Sequence, residues 1–231
     1  RGVGIDIEPA YLDLYQQVCL QEGLDQQIAI ADDARNLESH DAITRRRFAL
    51  ILTDPPYSEM LSRPQDGEKK KKTGSSSPTP FTNRPEDLGN VTYDVFLTEL
   101  TEIIRRSVRH LRDRGYLVVF AKDLQPNEAH HNMLHADIVA HLSQLPGLQF
   151  RGYKIWYDQT INLYPFGYPY QFVANQLHQY ILIFQKRPPR RPRPGELTQL
   201  MLEPVLAPGL NGNGHNGATN GVFDGDGLGQ H

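Results

Sequence analysis

The residues best placed for chemistry are Asp54-Pro55-Pro56-Tyr57, which directly follow an apolar run, residues 48–53, typical of a buried β-strand. Open α/β sheets bind their ligands at the carboxyl ends of such strands. The two prolines hold the backbone extended and lack N–H donors, which leaves carbonyl oxygens free to accept hydrogen bonds. Asp54 and the Pro55 carbonyl could accept the two protons of an exocyclic amino group while Tyr57 stacks on the base. The alternative interpretation is that these four residues only form a turn after a strand. It is disfavoured because such a turn would need neither the apolar run nor the tyrosine.

Alternating strands and amphipathic helices surround this motif. Strands are predicted at 2–7, 27–31, 48–53, 116–120, 148–157 and 178–186, and helices at 9–23, 94–114 and 133–145. The first helix has Tyr11, Leu14, Tyr15 and Val18 on one face, and the second has Phe96, Leu100, Ile103, Ile104, Val108 and Leu111. This order predicts an α/β fold with a doubly wound, mainly parallel sheet that ends in an antiparallel hairpin.

One folded domain is predicted for residues 1–187. Residues 58–92 contain a lysine run and Gly/Ser-rich sequence without apolar periodicity, which predicts a long mobile loop. The lysines at 69–72 are expected to be solvated rather than bound to phosphate. Prolines then alternate with arginines before a Gly/Asn-rich stretch, which predicts a disordered tail over 188–231.

Composition narrows the kind of protein further. The chain has 231 residues, one cysteine and a formal net charge of -3. No apolar run approaches the ~18 residues of a membrane span, which excludes an integral membrane protein. One cysteine forms no internal disulfide, so the reducing cytoplasm is the expected compartment. Any contact with nucleic acid has to come from local basic patches, because the overall charge is slightly negative.

Several sequence segments, taken in their order along the chain, resemble those of the S-adenosylmethionine-dependent amino-methyltransferases of nucleic acids, whose signature is Asp-Pro-Pro-Tyr. Residues 4–11 (Gly-Ile-Asp-Ile-Glu-Pro-Ala-Tyr) are similar to the family's second strand, and residues 31–35 to its next segment. Residues 116–122 and 175–186 are similar to the strand beyond the catalytic loop and to the closing hairpin strand. The resemblance covers about residues 2–186 and implies the family's Rossmann-like sheet and S-adenosylmethionine as cofactor.

The resemblance also assigns roles to single residues. The acid at the second strand, here Asp6, would bind the cofactor's ribose hydroxyls, and Asp33 would contact its adenine amino group. The implied residues are Asp6, Ile7, Asp33, Ala34 and Asp54 for the cofactor, Asp54, Pro55, Pro56 and Tyr57 for catalysis, and Tyr57, Phe172 and Asn175 for the target base. No metal is implied.

The implied activity is methyl transfer to an exocyclic amino group of DNA, on a base flipped out of its stack. Adenine-N6 is favoured over cytosine-N4 because the motif begins with aspartate rather than serine. The alternative is an RNA methyltransferase acting on the guanine amino group, which has the same fold and a near-identical tetrapeptide. The intact motif argues against a non-catalytic DNA-binding relic. The sequence does not indicate whether a cognate endonuclease exists.

Three other activities are disfavoured because the sequence does not match the residues that they require. Carbon-5 methylation of cytosine needs a nucleophilic cysteine, typically after a proline, whereas Cys19 follows Val18 within a predicted helix. A nucleotide-hydrolysing motor needs a Gly-x-x-x-x-Gly-Lys-Ser/Thr loop, which these residues do not contain. A dinucleotide dehydrogenase could use Asp6 for ribose but gives residues 54–57 no role.

One family segment has no counterpart, the glycine-rich cofactor loop on the strand that would precede Gly2. That strand would lie between the strands at 2–7 and 48–53. We therefore expect a gap in the centre of the sheet and an incomplete cofactor pocket. The full-length protein is expected to be an enzyme and this fragment alone to be inactive.

Two further groups of residues carry weaker signals. Aromatic residues recur through 156–172, where they could stack on bases or pack the tip of the hairpin. His131, His135 and His141, with Asp137, have helical spacings that could suit a metal, but no further ligand completes the set. They are expected to be solvated helix residues.

Overall fold

The computed structural model describes residues 1–60, 74, 77, 80–123, 133–160 and 176–188. Their strands are β1 (Gly2–Asp6), β2 (Gln27–Ala31), β3 (Phe48–Thr53), β4 (Leu111–Ala121), β5 (Leu148–Tyr157) and β6 (His178–Lys186). Their helices are α1 (Pro9–Gln21), α2 (Asp41–Thr44), α3 (Tyr93–Arg109) and α4 (Leu134–Leu142), with 3-10 turns at Ala34–Ser39, Ser58–Met60 and Leu88–Asn90. The chain divides into two units, Arg1–Pro189 and Arg190–His231, and the described residues lie in the first. None of the helices described is long and apolar enough to cross a membrane.

The strands form two separate sheets. β1 and β2 pair in parallel, and the second sheet has the order β3-β4-β6-β5. β3 and β4 are parallel, whereas β6 is antiparallel to both of its neighbours. The α/β class, the order of the strands and the antiparallel terminal hairpin are thus as predicted. In contrast, β4 begins five residues before the predicted strand 116–120, and the four-stranded sheet is mixed rather than mainly parallel, because β6 runs antiparallel to both of its neighbours. The predicted interruption between the strands at 2–7 and 48–53 is also present, because β1 and β3 do not pair.

The main core lies between the four-stranded sheet and two helices. Leu117, Val119 and Ala121 alternate along one face of β4 and are fully buried. Opposite them pack the apolar faces of α3 and α4, with Phe96, Leu100 and Ile104 from α3 and Leu134, Ile138 and Leu142 from α4. The predicted amphipathic face of the second helix is therefore confirmed in its main positions.

The opposite face of this sheet differs from the prediction. Leu52 of β3 is 61% exposed, and Leu50 and Tyr116 are also exposed on that face. A doubly wound sheet carries helices on both faces, so only half of that arrangement is present among the described residues. The face predicted for α1 is likewise exposed, since Leu14 is 60% exposed while Leu12 and Cys19 are the buried residues of this helix.

The end of α3 was predicted too far along the chain. The helix ends at Arg109, five residues earlier than predicted, and Leu111 already pairs with Phe48 as the first residue of β4. The ammonium group of Lys186 donates to the carbonyl oxygens of Val108 and Leu111, at 2.9 and 2.7 Å. A cation from the distant strand β6 thus binds carbonyl oxygens at the end of α3 and at the start of β4, which no local sequence pattern reveals.

His110, just after α3, gives the fold a pH dependence. Burial, with the positive charge of Arg47 nearby, holds the pKa of His110 below its ordinary value. The unfolded chain therefore binds this proton more readily, so the stability that His110 contributes is present above about pH 6.5 and falls as the pH decreases through the folded pKa. We expect the urea midpoint to fall between pH 7.5 and 5.5.

A histidine substitution tests this assignment. His110→Gln should lose part of the pH dependence of the urea midpoint, whereas the control His141→Gln, a change in α4, should retain all of it. An unchanged pH dependence in His110→Gln would contradict the assignment.

Candidate functional site

The motif at the end of β3 combines one exposed and several packed residues. Asp54 is exposed, Pro55 is buried, and Tyr57 is only 8% exposed within the main core. The Tyr57 hydroxyl donates a hydrogen bond to Asp54 Oδ1 at 2.7 Å. Burial and the neighbouring carboxylate raise the pKa of Tyr57 far above its ordinary value, so this hydroxyl remains a donor. A hydrogen bond within the motif therefore fixes the orientation of the Asp54 carboxylate.

This placement differs from the expectation that the Tyr57 ring stacks on a target base. With its ring packed against the core, Tyr57 would have to rotate outward before it could stack. In the geometry observed, Tyr57 instead orients the Asp54 carboxylate. The remaining oxygen of Asp54, Oδ2, receives no donor from the described residues and is available to an amino group.

Asp6 lies at the carboxyl end of β1, as predicted. Its Oδ1 accepts the N–H of Glu8 at 2.8 Å, and its Oδ2 receives no donor within the described ranges. Ile7, the next residue, is half-buried. A half-buried carboxylate with unused lone pairs is suited to accept hydrogen bonds from hydroxyl groups.

Asp33 has a different environment at the end of β2. Its Oδ1 caps the following turn by accepting the N–H of Arg35 at 2.8 Å, and its Oδ2 accepts from Arg35 Nη1 at 2.6 Å. Arg35 also donates to Glu99 of α3 at 2.7 Å. Ala34 begins this 3-10 turn and is half-buried. Asp33 can accept a further donor only through its second lone pairs, because both oxygens are already bonded.

Residues 80–90 bring the ends of the two sheets to one side of the molecule. Arg35 Nη1 donates to the carbonyl oxygen of Glu86 at 2.9 Å, and Arg84 Nε lies 4.0 Å from Glu8 Oε2. The same segment meets the motif, since a Cβ built on Gly89 would lie 3.2 Å from Pro56 Cβ. The carboxyl ends of β1, β2 and β3 therefore all border this segment.

This segment also changes the interpretation of the predicted loop over 58–92. Most of residues 61–79 lie outside the described part, and their mobility remains a prediction. Residues 80–92, in contrast, contain a hydrogen-bonded turn with buried Thr82 and Asp87. The sequence feature that could have predicted this turn is local. The side chain of Asp87 accepts the N–H of Gly89, two residues later, and a search for apolar periodicity does not detect such a bond.

A second group of polar side chains lies at the end of β4 and was missed. His135 Nδ1 lies 2.6 Å from Asp123 Oδ1, and its ring stacks on Tyr180 with centroids 3.8 Å apart. Nearby, the Tyr93 hydroxyl donates to Asp137 Oδ2 at 2.6 Å. The prediction that His135 and Asp137 are solvated helix residues is therefore wrong. The pairing joins β4, β6 and the start of α4, so only the tertiary fold brings these residues together.

The edge strand β5 presents basic and aromatic side chains to solvent. Arg151, Lys154 and Trp156 are exposed, and Trp156 meets Phe120 of β4 edge to face at 6.4 Å. Most of the predicted aromatic stretch 156–172, with Phe172 itself, lies outside the described residues, and so does Asn175. His131 and the lysines at 69–72 lie outside them as well.

Taken together, the described residues place carboxylates at the carboxyl ends of four strands: Asp6, Asp33, Asp54 and Asp123. Carboxylates bind hydroxyl and amino groups, which suits a ribose and an adenine. Asp6 fits S-adenosylmethionine directly, and Asp33 fits it only alongside Arg35. A groove of about 320 Å³ is also lined by residues 2–6 of β1 and by Tyr11, Leu12 and Tyr15 of α1. These acceptors therefore suit the hydroxyl and amino groups of the nucleoside part of that cofactor.

Comparisons with known proteins give likenesses of fold only. No protein-family model and no curated protein matches the chain. Similar solved structures include a proposed DNA modification methylase from Thermus thermophilus, with 23% identity and a TM-score of 0.41 over 72% of this chain and 56% of that one. TrmN from Thermus thermophilus has 14% identity and a TM-score of 0.45 over 80% of this chain and 36% of that one.

A third similar structure is an rRNA methylase from Streptococcus thermophilus, with 10% identity and a TM-score of 0.43 over 80% of this chain and 73% of that one. The chain thus spans 56% and 36% of the length of the two Thermus proteins. Because these TM-scores are below 0.5, the functional argument rests on the residues of this chain and not on the likenesses.

Proposed function

We propose that the protein transfers a methyl group from S-adenosylmethionine to an exocyclic amino group in DNA, with adenine-N6 favoured over cytosine-N4. One observation carries the proposal. Asp54 is exposed at the carboxyl end of a parallel strand, beside two prolines, and Tyr57 orients it with a 2.7 Å hydrogen bond. An oriented carboxylate beside a donor-free backbone is an acceptor site for the two protons of an amino group.

The chemical role of the motif follows from its two acceptors. Asp54 Oδ2 and the Pro55 carbonyl oxygen each accept a hydrogen bond from one N–H of the amino group. These bonds reduce conjugation of the nitrogen lone pair with the aromatic ring, which makes the nitrogen a better nucleophile. The Tyr57 hydroxyl holds the Asp54 carboxylate in place, so little reorganisation is needed during the reaction. S-adenosylmethionine, when bound, would supply the electrophilic methyl group and leave as S-adenosylhomocysteine, and one proton of the methylated nitrogen would pass to Asp54 or to water.

Binding of the cofactor is assigned to the ends of β1 and β2. Asp6 accepts hydrogen bonds from the ribose hydroxyls, and the next residue, Ile7, belongs to the same binding site. Asp33 accepts the adenine amino group beside its existing bonds to Arg35, and Ala34 lies against the base. The geometry of residues 80–90 supports this division, because that segment borders both the motif and the acids of the other sheet.

The direct test is product identification with the full-length protein. It is incubated with S-adenosylmethionine carrying a tritiated methyl group and, separately, with unmodified duplex DNA and bulk transfer RNA. Labelled methyladenine or N4-methylcytosine from DNA is the expected result and identifies the base. Labelled guanine from RNA would replace the proposal with the RNA guanine-N2 alternative, and absence of label in both would contradict methylation of either polymer.

The exposed side chains of β5 provide a prediction about the nucleic acid. Replacing Lys154 by alanine should raise the KM for DNA several-fold with little change in kcat, and should reduce the slope of log affinity against log salt by about one. Arg112→Ala removes an exposed cation near the start of β4 and should leave the KM nearly unchanged. Equal effects of both variants would contradict a DNA contact at β5.

A further inference from the structure

We infer that the turn formed by residues 82–90 positions the catalytic motif, with Thr82 and Asp87 as its positioning residues. This inference rests on the proposed function, because the motif it positions is the one assigned to methyl transfer. The turn itself is assigned no contact with the cofactor or with the base. It acts through Pro56 and Ser58, which it holds from outside.

The turn is fixed internally by buried hydrogen bonds. Asp87 is 5% exposed, and its two oxygens accept from Thr82 Oγ1 at 2.9 Å and from the N–H of Gly89 at 2.8 Å. Asn90 Nδ2 donates to the carbonyl oxygens of Thr82 and Arg84, at 3.0 and 2.8 Å. A carboxylate buried to this extent is costly unless its donors are kept, so the conformation of the turn depends on them.

Gly89 of the turn lies against the motif, and Val91, just after the turn, is bonded to Ser58, the residue that follows the motif. Gly89 lies so close to Pro56 that a Cβ added to the glycine would lie 3.2 Å from the proline Cβ. Any side chain at position 89 would therefore contact the motif directly. Ser58, immediately after Tyr57, donates from Oγ to the carbonyl oxygen of Val91 at 2.8 Å. Ser58 also has φ +54°, a left-handed conformation that a serine retains only when its surroundings hold it.

The other side of the turn contacts Arg35, which follows the first sheet. Arg35, which is bonded to Asp33, donates to the Glu86 carbonyl oxygen at 2.9 Å. The turn therefore sets the distance between the proposed cofactor acids and the proposed catalytic motif. Displacement of a reacting group by about 1 Å can cost on the order of 100-fold in rate, so a change in this turn is expected to slow chemistry before it weakens binding.

A threonine substitution tests the inference in the full-length protein. Thr82→Val keeps the shape of the side chain but removes the hydroxyl that donates to Asp87. We expect kcat to fall about 10-fold with both KM values within twofold, in the range of a displaced catalytic group. Thr82→Ser keeps the hydroxyl and should restore most of kcat.

The control variant is Thr101→Val. Thr101 also donates a hydrogen bond from its hydroxyl, but to a backbone acceptor inside α3, from Oγ1 to the Leu97 carbonyl oxygen at 2.6 Å. Rates are measured well below each unfolding midpoint, so that every variant is fully folded. A Thr82→Val enzyme that is destabilised but keeps the wild-type kcat would overturn the inference, and so would equal losses of kcat in both variants.

Hydrogen exchange separates this inference from the proposed function. Thr82→Val should speed amide exchange at residues 57–58 and 87–91, and Thr101→Val should not. If the wild-type protein methylated neither DNA nor RNA, the proposed function would fail on its own. Unchanged exchange at 57–58 in Thr82→Val would overturn the positioning role whatever the activity of the wild type.

Discussion

Asp54→Ala is expected to abolish methyl transfer, with a loss in kcat of roughly 1,000-fold, while cofactor affinity changes no more than a few-fold. Removal of one preorganised polar group at a reacting centre costs about 100- to 1,000-fold, and Asp54 is also the group that Tyr57 orients. The measurements are single-turnover methyl transfer and equilibrium binding of the cofactor. Near-wild-type turnover in this variant would show that the catalytic assignment is wrong.

Two further variants separate the charge of Asp54 from its orientation. Asp54→Asn keeps one carbonyl acceptor but lacks the charge, so it should retain more activity than Asp54→Ala. Tyr57→Phe keeps the packed ring and removes only the hydroxyl that donates to Asp54. A mild loss in Tyr57→Phe, together with the full loss in Asp54→Ala, is expected if Tyr57 orients the carboxylate.

Asp6→Ala is expected to weaken cofactor binding while leaving the rate at saturating cofactor nearly unchanged. A hydrogen bond to a charged group contributes about 1.5–3 kcal/mol, which corresponds to roughly a 10- to 150-fold higher Kd. Asp6 lies at the end of β1, in the sheet that does not contain Asp54. Calorimetric titration with the cofactor measures the affinity directly.

The control for Asp6→Ala is Asp13→Ala, which removes an exposed carboxylate from α1 and should leave the Kd unchanged. Because Asp6 also accepts the N–H of Glu8, thermal unfolding of the Asp6 variant is measured in parallel. An unchanged Kd in a fully folded Asp6→Ala protein would exclude Asp6 from the cofactor site. In that case the expected difference between the two variants, a weaker affinity in Asp6→Ala and a slower rate in Asp54→Ala, would not be observed.

Local sequence patterns were sufficient for the regular elements. β3 and β4 were predicted as buried strands from their apolar runs. Asp54 was found for the same reason, since it follows such a run directly. In the structure β4 buries alternate residues, whereas no residue of β3 is fully buried. The boundary of α3 was misplaced because its last apolar position, Leu111, is buried as part of β4 instead.

Long-range pairing decided the surroundings of the site. The bond from Arg35 to Glu99 joins residues 64 positions apart, and the bond from Tyr93 to Asp137 joins residues 44 apart. Neither pair has a spacing that a helix or strand period would bring together. The burial of Tyr57 is of the same kind, because an aromatic residue after a strand can face either solvent or the core until α3 is in place.

The sequence alone determined the α/β class, the order of the strands along the chain and the position of Asp6, Asp33 and Asp54 at strand ends. These follow from side-chain periodicity and from the chemistry of proline, both of which are local. Only the tertiary structure decided that the Tyr57 hydroxyl bonds to Asp54 from within the core, that Arg35 bonds to Asp33, and that Gly89 lies beside Pro56. Those arrangements depend on which packed surfaces meet, and a hydrogen bond between distant residues forms only after they do.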